Sequence, residues 1–108
     1  MLEESPRAHF EAGCARGVLL FQWDPVAGRA VFYPRVTDGL QWRESTGRGT
    51  VYSATTIRPR GEEPRGVALI DLDEGFRMMS RVRADVVEIG MRVRVAFEEG
   101  VPVFDPLP

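Results

Sequence analysis

Apolar residues along this chain follow first a helical and then a strand-like rhythm. Ser5 followed by Pro6 supplies an N-cap and a first helical position, and Gly17 supplies a stop, so a short helix is expected over residues 6–16. Its apolar side is thin. Phe10 and Cys14 stand four apart on one face, and Gly13 beside them permits close approach to another surface. From Gly17 the pattern changes: VLLFQW (18–23), the DPVAG turn and RAVFY (29–33) predict a hairpin, with PRVTDG as a trailing turn.

The rest of the chain alternates more regularly. GTVYSATTI (49–57) places Val51, Ser53, Thr55 and Ile57 on one face and Thr50, Tyr52, Ala54 and Thr56 on the other, and its β-branched content supports a strand. RPRGEEPRG (58–66) reads as an exposed loop. VALIDLD (67–73) is apolar on both faces, as a central strand would be. After the turn at Glu74 and Gly75, Phe76, Met78, Ser80 and Val82 alternate with Arg77, Met79, Arg81 and Arg83. ADVVEIG (84–90) predicts one helical turn, MRVRVAFEE (91–99) alternates strictly, and VPVF (101–104) is a last short strand before a DPLP tail.

Five strands from residue 49 onward cannot bury both faces as a flat sheet, so closure into a small barrel is expected. The expected fold is mainly β: a five-stranded OB-fold barrel over residues 46–108, preceded over residues 1–45 by a short helix and a hairpin. A chain of 108 residues buries roughly 65% of its unfolded surface, enough for one modest core.

Composition narrows the function. The chain has 14 basic residues, all of them Arg, against 16 acidic ones, for a net charge of -2. That balance argues against a protein devoted to gripping a phosphate backbone. Cys14 is the lone cysteine, so neither an internal disulfide nor a four-ligand zinc site can be built on it. The N-terminus lacks the pattern of a signal peptide, and the protein is expected to be cytoplasmic.

The catalytic inventory is poor. His9 and Cys14 are five positions apart on the helix and so on different parts of its circumference, and an exposed His9 with a buried Cys14 is the expected arrangement. Asp71, Asp73 and Glu74 cluster in the manner of hard-metal ligands, yet they lack the spacing of a calcium loop and read as a solvated hairpin end. No metal is expected. Arg77, Arg81 and Arg83 share one outer strand face and Arg92 and Arg94 another, roughly 10 Å away across an intervening strand in an OB topology. These five are candidates for contacting a phosphorylated cofactor, with Asp85, Glu88, Glu98 and Glu99 close enough in sequence to neutralise them.

The segments FEAGCARG (10–17), STGRGTVYSAT (45–55), VALIDLDEG (67–75) and IGMRVRVAFEE (89–99), in that order, resemble the acyl-CoA-associated OB-fold family, domain of unknown function family 35. The resemblance implies a rubredoxin-like zinc ribbon before the barrel. Here the first knuckle's cysteines would fall at Asp24 and Ala27, and the second knuckle, between Pro34 and Trp42, has neither Cys nor His. A degenerate ribbon without zinc is expected. The resemblance further implies a non-catalytic accessory subunit that organises a thiolase-like acyl-CoA enzyme, with a contribution to a CoA or acyl-CoA surface. The partner-binding candidates are Phe10, Gly13, Cys14, Phe21, Trp23, Tyr33 and Trp42. The alternative is an OB module for single-stranded nucleic acid, for which Tyr52 is the main outer aromatic.

Overall fold

The structure, a computed structural model, describes residues 5–31, 39–58, 60–63 and 65–108. Helix α1 (Pro6–Ala15) starts where the Ser5 hydroxyl accepts the Ala8 amide at 3.1 Å, with Pro6 in the first turn, where a missing N–H costs nothing. Gly13 and Cys14 form its buried side. A Cβ at position 13 would stand 2.7 Å from Leu20 Cδ1, so glycine is what lets the helix lie this close to the strand after it. No helix among the described residues is long and apolar enough to cross a membrane.

Strands β1 (Leu20–Asp24), β2 (Arg29–Val31) and β3 (Gln41–Glu44) form a small antiparallel sheet in the order β2-β1-β3. The expected hairpin is β1 with β2, running from Gln22 opposite Val31 to Asp24 opposite Arg29. β3 pairs with the other edge of β1, Leu20 opposite Glu44 and Trp23 opposite Gln41. Its sequence, QWRE, has one apolar residue and therefore no readable alternation.

The five expected barrel strands are β4 (Arg48–Ile57), β5 (Arg65–Leu72), β6 (Arg77–Arg81), β7 (Arg92–Glu98) and β8 (Val101–Pro106), ordered β6-β5-β4-β7-β8. The sheet curls until its edges meet. Val82 bridges Phe104 in parallel, the Arg83 amide donates to the Phe104 carbonyl at 2.8 Å, and the Ser80 hydroxyl donates to the Pro102 carbonyl at 2.8 Å. A three-strand meander whose first strand also pairs with the fourth, and whose fifth returns to the third, is the OB-fold order in a partly closed barrel. Val51, Ile70, Val93 and Phe104 fill it, each 1% exposed or less.

Two expectations need correction. The alternation read over residues 49–57 is broken by a bulge: Val51 faces Ile70, but Ser53 faces Leu69. Beyond it Ala54 and Thr56, opposite Ala68 and Gly66, share the side of Val51, and Ser53, Thr55 and Ile57 turn away. Residues 84–90 form no helical turn. The Gly90 amide donates to the Val51 carbonyl at 2.8 Å and the Val51 amide to the Met91 carbonyl at 2.9 Å, which prolongs the β4–β7 ladder instead. The adjacent β-branched Val86 and Val87 also disfavour a helix.

The small sheet and the barrel share one core. Leu19, Phe21 and Ala30 belong to the same buried cluster as Ile70, Phe76 and Phe104. Phe21 stacks on Phe76 at 5.0 Å with the rings 15° apart. Glu74 fastens the connecting segment, accepting the Ser45 hydroxyl at 2.7 Å and the Thr46 amide at 2.8 Å. Gly47 follows with φ +78, where any Cβ would collide with Val95.

Both tryptophans, Trp23 and Trp42, lie in the small sheet. In urea, tryptophan fluorescence and far-UV circular dichroism are therefore expected to give one shared midpoint, and separate midpoints would show that the two sheets unfold independently. Phe76→Ala is expected to lower stability by about 3–5 kcal/mol in the same titration.

Candidate functional site

Helix α1, β1, β6 and the turn between β7 and β8 enclose a groove of about 900 Å³, lined by Phe10, Cys14, Leu20, Trp42, Phe76 and Met79 among others. Its charged walls are Arg7, Glu11, Arg77 and Glu99. Three of these are already engaged: Arg7 and Glu11 bond each other at 3.1 Å and Arg77 bonds Asp71 at 2.6 Å. Met79 and Val101, 67% and 58% exposed, border this groove and also a second recess of about 870 Å³ along β6 and β8. An apolar hollow with such side chains left in water suits an apolar partner surface better than bond-making chemistry.

The structure separates the partner-binding candidates into two sets. Gly13, Cys14 and Phe21 are covered by the chain itself, the first against Leu20 and the last under Phe76. Cys14 and Phe21 nevertheless border the groove, so this side of the helix is filled from within at Gly13 and faces the groove at Phe10 and Cys14. Phe10, Trp23 and Trp42 remain half-exposed; Arg43 lies over the Trp23 ring at 4.4 Å, and Phe10 and Trp42 line the groove. Tyr33 lies outside the described residues. His9 is not the exposed residue that was expected: it is half-buried, its ring 4.6 Å from that of Trp42. Burial, and then the charge of Glu11, push the Cys14 thiol up, so it is protonated at neutral pH and a poor nucleophile.

The five candidate arginines stand on the barrel's outer face beside carboxylates. Arg77 grips Asp71 through two bonds and covers the Tyr52 ring at 3.7 Å. Arg92 grips Asp73 at 2.7 and 2.8 Å. Arg81 pairs with Glu98; Arg83 reaches Glu98 at 3.0 Å and clamps Asp105 with two bonds of 2.6 Å. Arg94 lies opposite Asp105 in the β7–β8 register and helps to lower its carboxyl. This face is zipped by its own ion pairs, and its one outer aromatic already carries a guanidinium. Among the described residues no three acidic, His or Cys side chains could jointly hold a metal, and Asp71, Asp73 and Glu74 point to separate partners.

The model for the ChsH2 C-terminal OB-fold domain matches residues 42–98, just over half of the chain. The chain belongs to this family of ChsH2 OB-fold domains. A chain of the solved Ltp2-ChsH2(DUF35) aldolase is 25% identical and superimposes with a TM-score of 0.75, covering 98% of both chains. A DUF35 protein of unknown function from Sulfolobus solfataricus, solved at 1.80 Å, is 14% identical with a TM-score of 0.70, covering 92% of this chain and 83% of its own. None of the curated proteins matches the sequence.

Within this ChsH2-type chain the first knuckle positions do not fit zinc. Ala27 has no donor atom, and the Asp24 carboxylate accepts the Val26 and Ala27 amides at 3.0 Å each while the Gly28 amide donates to the Asp24 carbonyl at 2.8 Å. The amide bonds to Oδ1 commit the Asp24 carboxylate to the turn, and with Ala27 beside it the pair supplies no thiolate. Of the second knuckle, residues 34–38 lie outside the described residues.

Sequence reasoning missed Met79 and Val101 as groove-lining residues, because alternation sets Met79 among the arginines and Val101 only opens a short strand. It also missed Asp105, which reads as part of a proline-rich tail yet pairs in β8 with β7.

Arginine neighbours hold the carboxyls of Asp73, Glu98 and Asp105 below the usual carboxylate range, chiefly by hydrogen bonds from Arg92 for the first and Arg83 for the other two. Depressed folded values mean that this stabilisation is present above the ordinary carboxylate pKa and lost as pH falls through the lower folded one. The melting temperature is therefore expected to fall below about pH 4. Arg83→Ala should lower it at pH 7 and flatten that acid limb; an unchanged limb would remove the ion pairs from the account.

Proposed function

We propose that this chain is a non-catalytic accessory subunit that binds and organises an acyl-CoA enzyme of the thiolase superfamily. The observation that carries this reading is the similarity, over 98% of both chains, to a chain of the Ltp2-ChsH2(DUF35) aldolase, a protein in which ChsH2 stands beside a second component. The chemistry of this chain supports the same reading. Its cysteine is buried and protonated, and the candidate arginines of the barrel's outer face stand beside carboxylates. Phe10 and Trp42 in the groove, together with Met79 and Val101, form the apolar part of the docking surface. A CoA or acyl-CoA moiety held at the junction of the two subunits is part of the proposal, as are a zinc-free ribbon and a cytoplasmic setting, where a lone thiol needs no oxidising compartment.

Co-expression with a thiolase-superfamily protein from the same genome is expected to give a complex that co-elutes in size-exclusion chromatography. Separate elution with unchanged enzyme activity would sink the proposal. Elemental analysis of the purified chain is expected to find zinc at well under one ion per molecule; stoichiometric zinc would contradict the metal-free ribbon.

A further inference from the structure

We infer that the partner subunit adds an extended strand to the open edge of β4, over residues 52–57; this rests on the accessory-subunit reading and names where that subunit binds. The barrel's strand edges are finished in different ways. β8 turns the backbone of its even-numbered residues toward β6, since the Pro102 and Phe104 carbonyls accept from Ser80 and Arg83 while the Leu107 amide turns the other way, to the Arg92 carbonyl. With prolines at 102 and 106, that edge offers few donors to another strand.

β4 has no such protection. β7 pairs with it only from Arg48 to Thr50, and the last bonds on that side join Val51 to Gly90 and Met91. β5 follows the opposite side as far as Ile57. Among the described residues nothing pairs with β4 beyond Val51 on the β7 side. Val51 bonds away from β5, so antiparallel alternation carried through the bulge directs Ser53, Thr55 and Ile57 to β5 and aims the N–H and C=O groups of Ala54 and Thr56 at the open side. The run YSATTI holds no charge and no proline, and Tyr52, Ala54, Thr55, Thr56 and Ile57 are all exposed.

What lies beside the edge defines the occupant. Residues 84–90 leave the β4–β7 ladder at Gly90 and carry Ile89 and Val86, 74% and 64% exposed, while Val87 turns toward Gly66. The same segment holds Asp85 and Glu88 and no base, and among the described residues neither is in an ion pair. A strand added here meets a neutral β-branched edge, an apolar wall and two carboxylates. The matching segment is extended and rich in apolar or β-branched residues, with Lys or Arg toward Asp85 and Glu88. A second copy of this chain matches less well, because it brings its own Asp85 and Glu88 to the same junction.

The test uses the full chain with the co-expressed thiolase-superfamily protein as probe. Thr56→Pro removes one outward N–H and leaves the β5 ladder intact; Ile89→Asp and Glu88→Lys alter the exposed wall. Complex formation is expected to slow amide exchange over residues 52–57 about tenfold or more, and each variant to weaken binding about tenfold. Ile89→Asp and Glu88→Lys keep the test open should Thr56→Pro fail to fold. Binding of wild type and variants alike, with these amides unprotected, overturns the strand-addition proposal and leaves the accessory role standing. A wild-type chain that binds no partner overturns the accessory role itself. A homodimer abolished by Thr56→Pro gives the edge to a second copy and overturns the partner strand.

Discussion

Phe21 lying on Phe76 at 5.0 Å is the contact on which the rest of this molecule depends. A sheet of strands as short as Leu20–Asp24, Arg29–Val31 and Gln41–Glu44 is marginal by itself in water. The turn at Asp24, built from amide hydrogen bonds, offers no ligand set that could stabilise it with an ion. Among the described residues apolar burial stabilises it, with Leu19, Phe21 and Ala30 in one cluster with the barrel. Glu74 then fixes the angle at which the two parts meet, because its two carboxylate oxygens hold adjacent points of the connecting segment. The groove beside α1 exists because that angle is set.

Much of the barrel was legible from residue types alone. Over residues 76–83 and 91–99, period-two alternation of apolar and charged side chains leaves one choice of buried face, and Phe76, Val82 and Val93 occupy it. Legibility failed where the backbone departs from its period. The bulge between Val51 and Ser53 turns over the faces that follow, and threonine, alanine and serine have too little hydrophobic contrast to reveal the change. β3 went unseen because its pairing with β1 is a matter of backbone bonds with one apolar side chain to mark it.

The candidate site was legible in part, for a similar reason. Spacing puts Phe10 and Cys14 on one helical face and shows that the face needs cover. It cannot show that Leu20, a few residues onward, packs against Gly13 and leaves Phe10 on a groove. The arginine rows were visible as rows, but their partners come from other strands: Asp105 meets Arg83 across the seam, and Asp73 meets Arg92 from a turn. Self-neutralisation of the outer face and apolar exposure along β6, β8 and the β4 edge are two sides of one arrangement. The arginine rows are occupied internally, and the surface left for others is mainly apolar, with Asp85 and Glu88 as free charges among the described residues.

The ion pairs at the barrel's closing seam are built from arginine, as is every basic side chain of the sequence. The hydrogen bonds that Arg83 donates to Asp105 and Glu98 raise its affinity for its own proton further. A lysine in that place would surrender its charge near pH 10, whereas a guanidinium does not deprotonate in a protein. The seam between β6 and β8 consequently keeps its positive charges, and with them its grip, in strongly alkaline solution.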